Sequence, residues 1–304
     1  FSGKDLFNTS IDYTYNYHNM IVFGEVASDK NYHKGFLSGA IISVDPKMEV
    51  SILYRNISEK YQSLSGKAFT ENSIPVNERG FYMGISLKPG IKWQIKAYAD
   101  LYHKPYLSYR VSSPVNGSDF LMSVHYSYDK SAEIYGSYRA QVKPVDSTGA
   151  IIPFPELPVH KSIQINILYK FTAGRSLKLK GEKLWNTSNN KSSNNGFLIY
   201  LEESRKIFHV FRTHLRLQYF NANSGNPIYS YTGFAALSAY VPAFYNKGLF
   251  YQAEIVYSAS KRVGLKFNWI ETIYLDKEQI GSGLDLINGN KRSEIKMELK
   301  YAFL

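Results

Sequence analysis

From residue 91 to 99 the chain reads IKWQIKAYA, with Ile91, Trp93, Ile95, Ala97 and Ala99 on the odd positions and Lys92, Gln94, Lys96 and Tyr98 on the even ones. Strict period-two alternation puts the two sets on opposite faces of a β-strand. The pattern recurs in 163–170, where Ile163, Ile165, Ile167 and Tyr169 oppose Gln164, Asn166, Leu168 and Lys170. In 211–219, Phe211, Thr213, Leu215, Leu217 and Tyr219 oppose Arg212, His214, Arg216 and Gln218. Segments 177–185, 265–269 and 295–303 behave alike. No stretch sustains the i, i+3, i+4, i+7 spacing of an amphipathic helix. Each strand therefore needs something apolar over one face and something wet over the other, which is the demand of an all-β antiparallel fold.

Two architectures meet that demand: a soluble sandwich or barrel, and a transmembrane barrel. Length separates them, because alternating segments of roughly 9–12 residues suit a tilted bilayer span. So does rhythm. Short connections (44–49, 88–91, 129–132, 172–176, 258–262) alternate with long ones (58–77, 103–117, 144–159, 186–195, 221–247, 276–290). Short turns on one side and long loops on the other are the outer-membrane pattern. Tyr, Phe and Trp also gather near strand ends, as an interfacial girdle requires. The expectation is one domain over 1–304, a transmembrane antiparallel β-barrel of outer-membrane type in the bacterial outer membrane. Following the rhythm gives about 15 strands, within a range of about 14–16, whereas bacterial single-chain barrels hold an even number. Either one strand of that count is misplaced, or this chain is the C-terminal part of a larger barrel with its N-terminal part missing ahead of Phe1; the second agrees with the start at Phe1.

Composition removes several alternatives. The 304 residues include no cysteine, so disulfides, thiolate metal sites and a cysteine nucleophile are excluded. The mean hydropathy is −0.29, and no run of about 18 apolar residues occurs, which excludes a transmembrane helix. The formal net charge of +11 favours anionic partners or serves solubility alone.

The cleanest strand is the last, 291–304, preceded by the loop IGSGLDLINGN (280–290). Ile295, Met297, Leu299, Tyr301 and Phe303 are expected to face lipid, and Lys296, Glu298 and Lys300 the lumen. A terminal strand ending on an aromatic resembles the signal read by the outer-membrane insertion machinery. The matching residues are Leu299, Tyr301 and Phe303, with Leu304 as one residue beyond the usual end.

The wet faces of the six clean strands carry Lys92, Lys96, Lys170, Lys178, Lys180, Arg212, Arg216, Lys266, Lys296 and Lys300, against Glu182 and Glu298. Fixed positive charge around a watery lumen would concentrate anions. The alternative is that these cations pair with loop or plug carboxylates and hold the barrel closed. No catalytic constellation stands out. His125 lies between Ser123 and Ser127 without a third group, and His209 and His214, five apart, face opposite ways on a strand and cannot share a metal. We therefore expect no enzyme activity, no cofactor and no metal. The stretches HKPYLSYR (103–110) and RTHLRLQYF (212–220) interleave basic and aromatic residues, a weak nucleic-acid signal. Loops 68–80 (AFTENSIPVNERG) and 280–290 carry apolar residues (Phe69, Ile74, Val76; Leu284, Leu286, Ile287) and are candidates to fold inward or dock a partner. The Asn/Ser-rich 186–196 reads as a solvated loop.

Several stretches, among them FGEVA (23–27), residues 54–84, residues 98–121, NPIYSY (226–231) and VPAFYNKG (241–248), occur in an order that resembles the barrel portion of one family. It is the Bacteroidota family of outer-membrane proteins named for an N-terminal helix-hairpin-helix (ComEA-like) domain. The resemblance implies further strands and that small helical domain ahead of the barrel. The helix-hairpin-helix motif is absent from this chain, and Thr232 follows YSY where the family carries an acidic residue. The function expected is an outer-membrane channel or transport component, for anionic solutes or DNA. The alternative is a non-conducting structural or assembly subunit. Expected partners are outer-membrane lipid and lipopolysaccharide, the insertion machinery and other outer-membrane proteins.

Overall fold

The computed structural model describes residues 5–303 apart from 148, 150, 189–190, 209, 224, 233–240 and 261. The first eight long strands are β1 (Asn8–Tyr17), β2 (Met20–Asp29), β3 (Lys34–Asp45), β4 (Met48–Ile57), β5 (Glu78–Gly90), β6 (Trp93–Lys104), β7 (Val115–Ser127) and β8 (Ala132–Val142). A small ladder of β9 (Val145–Asp146) and β10 (Pro155–Glu156) sits in the next loop. Then come β11 (Val159–Thr172), β12 (Arg175–Ser188), β13 (Lys191–Ile207) and β14 (Phe211–Ala222). The two-residue strands β15 (Ile228–Tyr229) and β16 (Ala243–Phe244) pair within the following loop. They are followed by β17 (Asn246–Ser258) and β18 (Val263–Tyr274). The ladder β19 (Gln279–Ile280) with β20 (Ile287–Asn288) precedes the last strand, β21 (Lys291–Tyr301).

Fifteen strands form one sheet in the order β1-β2-β3-β4-β5-β6-β7-β8-β11-β12-β13-β14-β17-β18-β21. Each long strand lies beside its predecessor in the chain, as successive hairpins dictate, and the strand number meets the expectation. Among the described residues no helix is long and apolar enough to cross a membrane. By contact the chain divides into two units. Unit 1 comprises residues 1–124, 138–161 and 187–192, and unit 2 comprises 125–137, 162–186 and 193–304.

In both units the alternation resolves into faces of opposite character. On β4 of unit 1, Leu53, Arg55 and Ile57 are buried while Ile52 and Tyr54 are exposed. On β14 of unit 2, Arg216, Gln218 and Phe220 are buried while Leu215 and Leu217 are exposed. Charge lies on the covered face and hydrocarbon on the open one, the reverse of a soluble sheet.

Two expectations are corrected. Lys92 is not a strand residue: β5 runs to Gly90 and β6 begins at Trp93, so Ile91 and Lys92 make the turn. The alternation starting at Ile91 runs through a turn tight enough to leave no break in the pattern. The solvated loop expected at 186–196 is strand almost throughout, because β12 extends to Ser188 and β13 starts at Lys191. Strand pairing satisfies the backbone of polar residues as well as apolar ones, so composition alone misjudges a strand pair rich in Asn and Ser. Asn189 and Asn190 lie outside the described residues, as do His209 and Leu304.

Candidate functional site

The polar face of unit 1 is organised around Arg55. Its side chain and that of Glu78 are both 0% exposed. Nε donates to Glu78 Oε1 at 2.6 Å, and Nη1 and Nη2 donate to Asp100 Oδ1 and Oδ2 at 2.8 and 3.1 Å. Glycine makes this reach across the sheet possible. Gly80 on β5 lies opposite Arg55 in the register, and a Cβ there would run into the guanidinium on its way to β6. Next along the face, Asp119 accepts from Arg139 Nε (3.0 Å) and Nη2 (2.5 Å), Gln141 Nε2 (2.8 Å) and the Tyr98 hydroxyl (3.2 Å).

The loop 58–77 folds down onto this cluster. The Glu71 backbone N–H donates to both Glu78 carboxylate oxygens (3.1 and 3.2 Å), and the Phe69 ring lies 5.5 Å from the Arg55 guanidinium. Lys143 pairs with Glu71 at 3.4 Å, and Lys104 donates to Asn72 Oδ1 at 2.8 Å. At the loop's start the Gln62 N–H donates to Asp29. Burial pushes the Tyr61 phenol above its ordinary range, assisted by the nearby carboxylates of Glu25 and Asp29.

The polar face of unit 2 is covered by 228–232 and 241–244. Ile228 and Phe244 enter an apolar cluster with Leu198, Tyr200, Phe220, Ala222, Phe250 and Ile270. Arg216 donates through Nε and Nη2 to Glu202 and through Nη1 to the Tyr231 carbonyl (2.8 Å), with Tyr200 stacked 4.2 Å below. Gln252 Nε2 donates to the Thr232 carbonyl at 2.9 Å. Beneath this segment lies a cavity of about 390 Å³, walled by β11, β12, β13, β14 and β17.

The structure answers the expected ladder of cations with carboxylates that alternation alone did not align. Lys170 lies 2.8 Å from Glu133, Lys180 2.7 Å from Glu182, Lys266 3.0 Å from Glu254 and Lys296 3.1 Å from Glu294. Arg216 pairs with Glu202, its direct partner in the β13–β14 register, and Lys266 also stands opposite Glu298 in the β18–β21 register. The sequence reading weighed only Glu182 and Glu298 against the cations. Glu133, Glu202, Glu254 and Glu294 sit on or beside strands whose alternation was not read out residue by residue. Lys178 stands with its ammonium 5.7 Å from the Tyr200 ring. Lys96 lines a second cavity, of about 490 Å³, in unit 1. Arg212 and Lys300 are exposed near strand ends.

Leu299, Tyr301 and Phe303 are exposed, and Tyr301 packs edge-on against Phe303. Of the two apolar loops, 58–77 folds inward as described. The other forms β19 and β20 with Leu284 fully exposed between them. The Arg55 cluster and the inward stretches 228–232 and 241–244 were missed by the sequence reading. Their available signals were an arginine on the Leu53–Ile57 face of SILYRNI, and the apolar IPY-type residues inside an otherwise polar loop. Among the described residues no group of three or more His, Cys, Asp or Glu side chains comes together as a metal site.

No family model matches this sequence, and no curated protein matches it either. Several solved structures are similar in the course of the chain. In-vitro folded OmpT, an outer membrane protein of Vibrio cholerae, is 6% identical with a TM-score of 0.45, over 97% of this chain and 95% of that one. An anion-selective porin from Comamonas acidovorans is 8% identical with a TM-score of 0.45, over 98% and 100%. The outer membrane channel DcaP of Acinetobacter baumannii is 13% identical with a TM-score of 0.45, over 97% and 84%.

Proposed function

We propose that the chain is an outer-membrane β-barrel that serves as a channel or transport component. One observation carries the reading: the apolar face of the strands is open and the charged face is covered. On β21 the open face holds Ile295, Met297 and Leu299 at 65%, 77% and 69% exposure. In water such a face would promote aggregation, whereas in a bilayer it is the lipid-facing band. The polar cavities of each unit then belong to the wall of an aqueous path. Because Lys170, Lys180, Arg216, Lys266 and Lys296, five of the ten ladder cations, are matched by carboxylates, the selectivity that follows is a weak preference for anions. A polyanion such as DNA finds no continuous positive track along such a wall. The resemblance to the helix-hairpin-helix-containing family is part of this proposal.

A second reading, a non-conducting structural subunit, is favoured by the two inward segments, each fastened to the polar face by buried bonds. Planar-bilayer recording of the purified, lipid-folded protein separates the two. Discrete ohmic steps support the channel. A folded protein that inserts without conducting, and copurifies with stoichiometric partners, supports the subunit.

A further inference from the structure

The cavity of unit 2 has a charge count that does not close. Three of the surrounding cations are matched by carboxylates: Lys180 with Glu182, Arg216 with Glu202, and Lys266, outside the cavity lining, with Glu254, which also lies 3.9 Å from His214 Nε2. The Arg216 charge is met by Glu202, while its third nitrogen donates to the Tyr231 carbonyl. Among the described residues no carboxylate pairs with Lys178, whose ammonium reaches over the Tyr200 ring instead. The side-chain amides of Gln164 and Asn166 line the same cavity. An ammonium and two primary amides present one full positive charge and N–H donors suited to carboxylate oxygens. Around them, Glu202 and Glu254 offer acceptor oxygens to hydroxyl groups. At about 390 Å³ the cavity is of the size that holds a small molecule.

We propose that this cavity is a binding site for a small hydroxylated monocarboxylate, with the carboxylate on Lys178, Gln164 and Asn166 and the hydroxyls toward Glu202 and Glu254. A dianion would bring one charge more than the single surplus cation can match. A neutral sugar would leave Lys178 without a counter-charge. The proposal rests on the channel reading only for how the solute arrives.

The test is isothermal titration of gluconate into the full-length protein folded in detergent, with glucose and citrate as comparison ligands. Gluconate is expected to bind more tightly than either. Lys178→Gln is expected to weaken it about tenfold or more, the scale of a lost charge-assisted hydrogen bond. Lys178→Arg keeps the charge and is expected to retain part of the affinity, and Lys96→Gln, outside this cavity, is expected to leave it unchanged. Far-ultraviolet circular dichroism identifies any variant that fails to fold. No heat with gluconate, equal binding of glucose, or an unaltered affinity in folded Lys178→Gln overturns the site. A conducting protein that does not bind gluconate sinks the site alone, whereas a binding protein that does not conduct sinks the channel alone.

Discussion

Arg55 holds two buried carboxylates with one guanidinium, and its own surroundings admit no water. The sign of a substitution there follows from what is left behind. Arg55→Ala strands Glu78 and Asp100 in a covered site and removes the cation against which Phe69 rests. Breaking one side of a buried ion pair costs about 3–5 kcal/mol. The expected outcome is a loss of that order in guanidinium-induced unfolding of the lipid-folded protein. Faster protease cleavage within 58–77 should accompany it, because Glu78 also anchors the Glu71 N–H. Gly80→Ala should open the loop in the same way while leaving all the charges present, since its methyl group would occupy the path of the guanidinium. A variant Arg55→Ala as stable as wild type would show that the cluster contributes no net stability. At this scale the sequence was least informative. An arginine on an apolar strand face is visible in SILYRNI, but its partners lie 23 and 45 residues away, and only the register reveals them.

At the scale of elements the alternation was highly legible. The fifteen long strands were readable because a two-residue period survives any choice of neighbour, and the short turns mark its reversals. The errors fell where the pattern carries no information about hydrogen bonding: the turn at Ile91–Lys92 and the polar hairpin of β12 with β13. The last strand offers the sharpest test of the two faces. Met297 stands directly opposite Phe267 on β18, and both are on the side proposed to meet lipid. Met297→Lys puts an ammonium in that layer, at a cost of about 2–4 kcal/mol near the bilayer midplane. Urea titration of the protein folded into lipid vesicles should show that loss, whereas Lys296→Gln, one residue away on the other face, should lose far less. Equal effects of the two substitutions would contradict the assignment of faces.

For the whole molecule, the net charge of +11 is a poor guide to what the polar face does. The sequence count set ten cations against two carboxylates. The folded chain brings further carboxylates to Lys170, Arg216, Lys266 and Lys296, so part of the formal excess is neutralised where it stands. The missing information was long-range: Glu133 meets Lys170 across 37 residues, and Glu202 meets Arg216 across 14. If conduction passes over this face, its selectivity is set by the balance of such pairs rather than by the net charge of the chain. Glu202→Gln then removes a carboxylate and turns Arg216 into an uncompensated cation, while the Tyr231 carbonyl still positions its guanidinium. The expected outcome, in a KCl gradient across a planar bilayer, is a weakly anion-directed reversal potential for wild type. Glu202→Gln should move it further toward the chloride equilibrium potential, and Lys178→Gln should move it back toward potassium. The shifts should shrink as the salt concentration rises on both sides, because fixed charges in an aqueous path are screened within about 10 Å at 0.1 M. Reversal potentials indifferent to both substitutions, in variants that still conduct, would mean that the current does not pass over this face at all.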